Sequence, residues 1–120
     1  MRDEKTLSKT EEFTLKERIK KYSEIQHIFR KGEKISTTGA KLYILPNGLS
    51  FNRIAFTLPR GFGNAVQRNH SKRLSREVYR HLKSITKSGY DMVLLIYNQD
   101  DLYNTRVEQL NSLYKKAGLL

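Results

Sequence analysis

Residues 64–87 read NAVQRNHSKRLSREVYRHLKSITK, and this stretch carries the clearest helical pattern of the chain. Asn64 stands at the position of an N-cap, and Ser88-Gly89 follows the last helical residue. Apolar residues fall on one stripe of the predicted helix, at Leu74, Val78, Leu82 and Ile85. Cationic residues fall on a second stripe, at Arg68, Lys72, Arg76, Arg80 and Lys83. At about 100° per residue the two stripes are nearly opposed, so we predict a helix that buries one side and exposes a basic one.

Shorter patterns precede this helix. The segment from Ser23 to Lys31 predicts a helix capped by Ser23, with Gly32 as its left-handed C-terminal residue. Residues 41–45 and 51–58 predict two strands, which the turn Pro46-Asn47-Gly48 would join as an antiparallel hairpin. Residues 35–37 predict a short edge strand before them.

Two elements follow the basic helix. Residues 90–97 are almost continuously apolar and predict a central strand covered on both faces. Thr105, with Glu108 three residues later, predicts the capping box of a last helix that ends at Gly118. The order α-β-β-β-α-β-α predicts an α/β (α+β) sandwich, in which helices pack on a small mixed sheet. We expect a single domain over residues 18–120, preceded by a polar, flexible N-terminal extension over 1–17.

The composition indicates a polyanionic partner. The 120 residues include 23 Lys and Arg but 12 Asp and Glu, which gives a net charge of +11 and a pI of about 10.0. Such an excess repels itself in the folded state, and nucleic acid is the partner that most often relieves it. The chain has no cysteine, which excludes disulfides, thiolate metal sites and thiol nucleophiles. No apolar run approaches the roughly 18 residues of a membrane span, so we expect a soluble cytoplasmic protein.

A protein-based nuclease is a poor alternative. The acidic candidates for a metal site are spread along the chain, at Glu12, Glu17, Glu77, Asp91, Asp100 and Asp101. The histidines at 27, 70 and 81 lack metal or acid–base spacing, and no phosphate loop or nucleophile motif is present. We therefore predict no catalytic residue and no tightly bound metal in this chain.

The start of the basic helix resembles the signature of the bacterial ribonuclease P protein family, G-N-A-V-x-R-N-R-x-K-R-L-x-R. The chain matches it at Gly63, Asn64, Ala65, Val66, Arg68, Asn69, Lys72, Arg73, Leu74 and Arg76. It departs at His70, where the family has Arg, and at Arg60-Gly61, where the family has two Lys. Upstream, residues 18–32 resemble the family's R-L-K-K and F-x-x-V-F-K-x-G segments, with Ile25 in place of the first aromatic and Phe29 kept. Residues 41–45 resemble its first long strand, including Tyr43.

The resemblance implies a fold with a left-handed crossover and a role in precursor transfer RNA processing. In the family a large RNA is the catalyst, uses Mg²⁺ held mainly by RNA phosphates and removes the 5′ leader; the protein alone is expected to be inactive. The protein binds ribonuclease P RNA and holds the single-stranded leader in a cleft between the first helix and the sheet. The implied contacts with catalytic RNA are Arg60, Asn64, Arg68, Asn69, Lys72, Arg73 and Arg76. The implied leader cleft contains Arg18, Ile25, Phe29, Lys41 and Tyr43.

Two alternatives stay open at this stage. The basic stripe also suits a solvated helix face, and Ile25, Phe29 and Tyr43 also suit plain core packing. A ribosomal or other structural RNA-binding protein shares the size, the charge and the lack of cysteine. We expect the free protein to be a monomer, with no membrane partner.

Overall fold

Strand β4 is the centre of the four-stranded sheet. A computed structural model describes residues 13–97 and 100–120. The strands are β1 (Glu33–Thr37), β2 (Ala40–Pro46), β3 (Arg53–Thr57) and β4 (Tyr90–Ile96). They lie in the order β1-β2-β4-β3, where β2 is antiparallel to both neighbours and β3 is parallel to β4. The sheet is therefore mixed, and the prediction of a central, buried fourth strand is confirmed.

The predicted hairpin between the second and third strands is wrong, because β4 lies between them. The contacts of Asn47 explain why the turn at residues 46–48 does not bring β2 and β3 together as a hairpin. The Asn47 side-chain amide donates to Phe51 O at 3.2 Å and to the Asp91 carboxylate at 2.9 Å, which leads the chain past the start of β4. The tight hairpin joins β1 to β2 instead, through Thr38 and Gly39, whose φ of 78° suits a residue without a Cβ.

Three helices cover the two faces of the sheet. They are α1 (Tyr22–Lys31), α2 (Ala65–Leu82) and α3 (Tyr103–Ala117). Helix α1 lies on one face, where Ile28 packs with Ile19, Ala55 and Val93. Helices α2 and α3 cover the other face and form the main core with it. No helix in residues 13–97 and 100–120 is both long enough and apolar enough to cross a membrane.

Helix α1 differs from its prediction at both ends. The helix begins at Tyr22, and Lys21 is its N-cap residue. Ser23 therefore lies inside the helix and does not cap it. Gly32 has a φ of −76°, which is not left-handed. Close packing explains this glycine: a Cβ there would lie 2.7 Å from Ile28 O and 3.0 Å from Ile44 O.

The last helix also starts earlier than expected. It begins at Tyr103 after Leu102, which provides no side-chain cap, so the capping box predicted at Thr105 and Glu108 is wrong. Thr105 instead lies near Asp100, with its hydroxyl 3.5 Å from the carboxylate. The C-terminal prediction is confirmed, because Gly118 is left-handed with a φ of 77°.

The basic helix α2 is capped as predicted. The Asn64 side chain accepts from Gln67 N at 2.9 Å, and the Gln67 side chain accepts from Asn64 N at 2.9 Å. Its buried stripe differs from the prediction, because Ile85 lies in a following 3-10 turn and is 62% exposed. The buried residues of α2 are Ser71, Ser75, Val78 and Tyr79.

Two small serines face α3 because a buried arginine occupies that interface. Arg106 of α3 is fully buried and donates to Ser71 O at 3.1 Å, to Ser75 Oγ and to the Asp101 carboxylate. Its Nε donates to Gln109 Oε1 at 3.1 Å. Burial lowers the pKa of Arg106, and the Asp101 charge opposes that shift. We call these residues the Arg106 network.

Part of the predicted N-terminal extension packs on the fold. The Phe13 ring lies 5.5 Å from the Phe56 ring, and the buried Glu17 accepts from Lys83 Nζ at 2.6 Å. Ile19 N donates to Ile54 O at 3.1 Å, which attaches this segment to the outer edge of β3. Residues 1–12 lie outside the described residues, so the flexibility expected there stays a prediction.

Replacing Arg106 should destabilise the fold strongly. The change Arg106→Ala leaves Asp101 without its guanidinium partner and opens a space between α2 and α3. Loss of one partner of a buried ion pair costs about 3–5 kcal/mol, which urea unfolding would measure. The exposed Arg73→Ala is the matched control and should change stability by about 0.5 kcal/mol or less. An equal effect of the two substitutions would contradict the structural role of the network.

Candidate nucleic-acid interface

A groove runs along the edge of β3 between α1 and α2. Its cavity volume is about 300 Å³, and we call it the β3 groove. Its apolar wall includes Ile25 of α1 and Ala55 of β3, with two aromatic rings, Phe13 and Phe56, also in the lining. Four cations line it as well: Arg18, Lys20, Lys72 and Arg76. The groove thus combines apolar surface with a high density of positive charge.

These cations lack acidic partners within the part of the chain that the structure describes. Among those residues, no carboxylate forms a salt bridge with Lys72, Arg76 or Arg18. Burial lowers the pKa of Arg76, and the nearby charges of Arg18 and Arg73 lower it further. Like charges held together in a partly desolvated groove favour binding of an anion such as a phosphate.

The residues of the predicted RNA-binding set have different positions on and beside α2. Lys72 and Arg76 line the β3 groove, while Arg60, Asn69 and Arg73 are exposed. Asn64 is exposed, but its carboxamide oxygen is used as the helix cap. Arg68 is half-buried and donates to Pro59 O at 2.8 Å, which ties the first turn of α2 to the preceding loop. Within the described residues, the other members of this set form no side-chain hydrogen bond or ion pair with the rest of the protein.

The C-terminal half of the basic stripe is partly neutralised within the protein. Arg80 lies 3.4 Å from the Glu77 carboxylate, and Lys83 lies 2.6 Å from the Glu17 carboxylate. Tyr79 also donates to Glu17 at 3.3 Å, and burial raises the pKa of this tyrosine. The part of α2 that offers charge to a partner is therefore the part up to Arg76.

The predicted leader-cleft residues lie in two adjoining places. Arg18 and Ile25 line the β3 groove, while Phe29 and Tyr43 lie where α1 meets the sheet. Lys41 lies on the same strand as Tyr43, two residues before it. The Phe29 and Tyr43 rings are 4.7 Å apart in an edge-to-face contact. Both are half-buried, so each ring packs and still presents surface. The link between the two places is α1, on which Ile25 and Phe29 are one turn apart.

A row of three paired residues on the sheet continues the surface formed by the Phe29 and Tyr43 rings. Lys41, Leu95 and Thr57 pair across β2, β4 and β3, and all three are half-buried. Lys41 Nζ lies 5.7 Å from the centre of the Tyr97 ring, which is 44% exposed. A cation beside an exposed ring suits contact with phosphate and base of one nucleotide.

The sequence analysis missed several residues of this surface. Lys20, Phe13 and Phe56 line the β3 groove, and Tyr97 lies beside Lys41. The position of Tyr97 depends on the pairing of β2 with β4, which the sequence pattern did not predict. Lys20 could have been found, because it lies in the same cationic segment as Arg18.

Of the acidic residues considered for a nuclease, those within the described residues have structural partners, whereas Glu12 lies outside them. Asp91 accepts two hydrogen bonds from Arg53, at 2.9 and 2.7 Å. Burial alone would raise the pKa of Asp91, but the bonds from Arg53 and Asn47 hold it below its usual value. Within residues 13–97 and 100–120, no group of three His, Cys, Asp or Glu side chains is placed to hold a metal ion.

Comparisons with known proteins show the family of this chain. The family model described as Ribonuclease P matches residues 2–118. The ribonuclease P protein component of Natranaerobius thermophilus is 38% identical over 104 residues, which cover 85% of this chain and 90% of the relative. The protein component of a Thermotoga species is 30% identical over 116 residues, covering 91% and 99%.

Solved structures show the same fold. The RNase P protein of Staphylococcus aureus superposes with a TM-score of 0.78 at 26% identity, covering 86% of this chain and 96% of that one. The RNase P protein of Thermotoga maritima gives a TM-score of 0.76 at 26% identity, covering 83% and 96%. The predicted α+β fold class and family resemblance are thereby confirmed. This chain belongs to the ribonuclease P protein family.

Proposed function

We propose that this chain binds ribonuclease P RNA through α2, from its first turn to Arg76, and holds the 5′ leader of precursor transfer RNA beside α1. As a member of its family it is a subunit of an endoribonuclease. The observation that carries the proposal is the β3 groove, where unpaired cations meet apolar surface that continues to the Phe29 and Tyr43 rings. Phosphates and unpaired bases of one strand need both kinds of surface.

The two RNAs would contact neighbouring surfaces. The exposed side chains Asn69 and Arg73 point away from the core on α2 and suit the catalytic RNA. Lys72 and Arg76 lie on the flank of α2 that lines the β3 groove, so they would contact the catalytic RNA where it lies beside the leader strand. Arg60, which is exposed in the loop before α2, adds a further cation at the start of this helix. The protein would thus hold the leader close to the catalytic RNA.

The chemistry of cleavage belongs to the RNA in this proposal. The β3 groove offers guanidinium and ammonium groups, which repel Mg²⁺, whereas phosphate oxygens bind it. Magnesium would therefore be held mainly by RNA phosphates. The protein contributes charge, which lets two polyanions approach, and a surface that orients the leader.

Removing three cations of α2 should flatten the salt dependence of RNA binding. The substitution Lys72→Ala, Arg73→Ala and Arg76→Ala removes up to three phosphate contacts. Each contact contributes about 0.7–0.9 to the log–log slope, so the slope of affinity against salt should fall by about 2. The measurement is a salt titration of binding to ribonuclease P RNA.

The matched control removes the same charge elsewhere. Lys87, Lys115 and Lys116 are exposed and lie outside the proposed interface, so their triple Ala variant should keep the slope nearly unchanged. Equal slopes for the two triple variants would remove α2 from the RNA interface.

Phe29→Leu should weaken the preference of the holoenzyme for leader-bearing substrate. Leucine keeps apolar packing against Tyr43 but cannot stack on a base. Base–aromatic stacking contributes about 1–3 kcal/mol per base, so the affinity ratio of leader-bearing to leaderless RNA should fall fivefold or more. Phe51→Leu is the control, since Phe51 is also half-buried but lies outside the proposed interface. An unchanged ratio for Phe29→Leu would contradict the leader assignment.

A further inference from the structure

Tyr22 is an exposed aromatic residue at the start of α1. Its side chain is 76% exposed, whereas most large apolar residues of the described chain pack in one of the two cores. Among the described residues, its ring makes no aromatic or cation contact. Packing therefore does not account for an aromatic side chain at this position.

Tyr22 lies on the same side of α1 as two residues of the proposed leader surface. Tyr22, Ile25 and Phe29 follow the spacing i, i+3, i+7, which places them in one stripe. Ile28, which anchors α1 to the sheet, points to a different side and is 1% exposed. Helical side chains lean toward the N-terminus, so the Tyr22 ring extends the stripe beyond the first turn.

The surroundings of Tyr22 are cationic. Lys20 lines the β3 groove, and Lys21, the cap of α1, is exposed. Arg18, also in the groove lining, precedes them. An exposed ring beside several cations is complementary to a nucleotide, which has a base to stack and a phosphate to neutralise. An apolar protein partner would leave these charges unpaired.

We propose that Tyr22 stacks on an unpaired base of the leader strand and extends the leader surface one turn beyond Ile25. The inference rests on the proposed function, because it takes the leader as the strand beside α1. Ile25 provides apolar contact but no ring in the middle of this stripe. Tyr22 adds a second aromatic platform, about two helical turns from Phe29. Every base has a π-face, so this platform would accept leaders of different sequence.

The test compares substitutions of Tyr22 in the holoenzyme assembled with ribonuclease P RNA. Binding of precursor transfer RNA with a leader and of leaderless transfer RNA is measured for Tyr22→Phe, Tyr22→Leu and Tyr22→Ala. We expect the leader-specific affinity ratio to fall about fivefold for Leu and Ala, and to stay within twofold for Phe. Leu102→Ala is the control: Leu102 is 64% exposed but precedes α3, on the other face of the sheet.

A fluorescent base gives an independent readout. With 2-aminopurine placed in turn at each leader position, stacking on Tyr22 should quench one position in the wild type and in Tyr22→Phe, and not in Tyr22→Leu. Thermal unfolding of the free variants shows whether each keeps its fold. We expect an unchanged unfolding temperature, because Tyr22 is exposed.

Three outcomes would overturn the inference. An equal loss for leader-bearing and leaderless RNA would show that Tyr22 contacts another part of the RNA. If the leader-specific affinity ratio falls for Phe29→Leu but not for Tyr22→Ala, the Tyr22 platform is rejected and the proposed function stands. No leader preference even in the wild type would reject the proposed function and the Tyr22 platform together.

Discussion

Arg106 places a full positive charge inside the protein, between α2 and α3, and the surrounding residues are arranged to satisfy it. Ser71 and Ser75 of α2 accept from its guanidinium, and Asp101 supplies the opposite charge. A buried cation without these partners would cost several kcal/mol, so both helices and the segment before α3 must meet at this point. This constraint fixes which side of α2 faces inward, and it thereby determines which cations of α2 face outward.

The orientation of α2 brings three separate segments together around the edge of β3. Lys72 and Arg76 come from α2, Arg18 and Lys20 from the segment that pairs with β3, and Ile25 from α1. Helices α1 and α2 lie on opposite faces of the sheet, so the β3 groove connects the two faces. A strand of RNA in this groove would reach the basic helix at one side and the aromatic rings of α1 at the other. That geometry explains how one small domain could serve a catalytic RNA and a leader together.

Local signals predicted two helix ends correctly, but the Ser23 cap, the left-handed Gly32 and the capping box at Thr105 were wrong. The pairing of distant strands was predicted only in part. The Asn64 cap and the left-handed Gly118 depend on residues within one turn, so the sequence alone predicts them. The pairing of β4 between β2 and β3 depends on residues far apart along the chain, and the turn at 46–48 suggested a simpler hairpin. Arg106 was not foreseen as a core residue, because arginine is almost never fully buried unless it is paired. The family motif on α2 pointed to RNA, but the groove appears only when distant segments are brought together.

The most direct test of the account is cleavage of a precursor transfer RNA by ribonuclease P RNA at low Mg²⁺, with and without this chain. The account predicts strong stimulation by the protein, because its cations replace magnesium in screening the two RNAs, and no cleavage by the protein alone. Tight RNA binding without stimulation would contradict the account and indicate a structural RNA-binding protein. Cleavage by the protein alone would contradict the assignment of catalysis to the RNA.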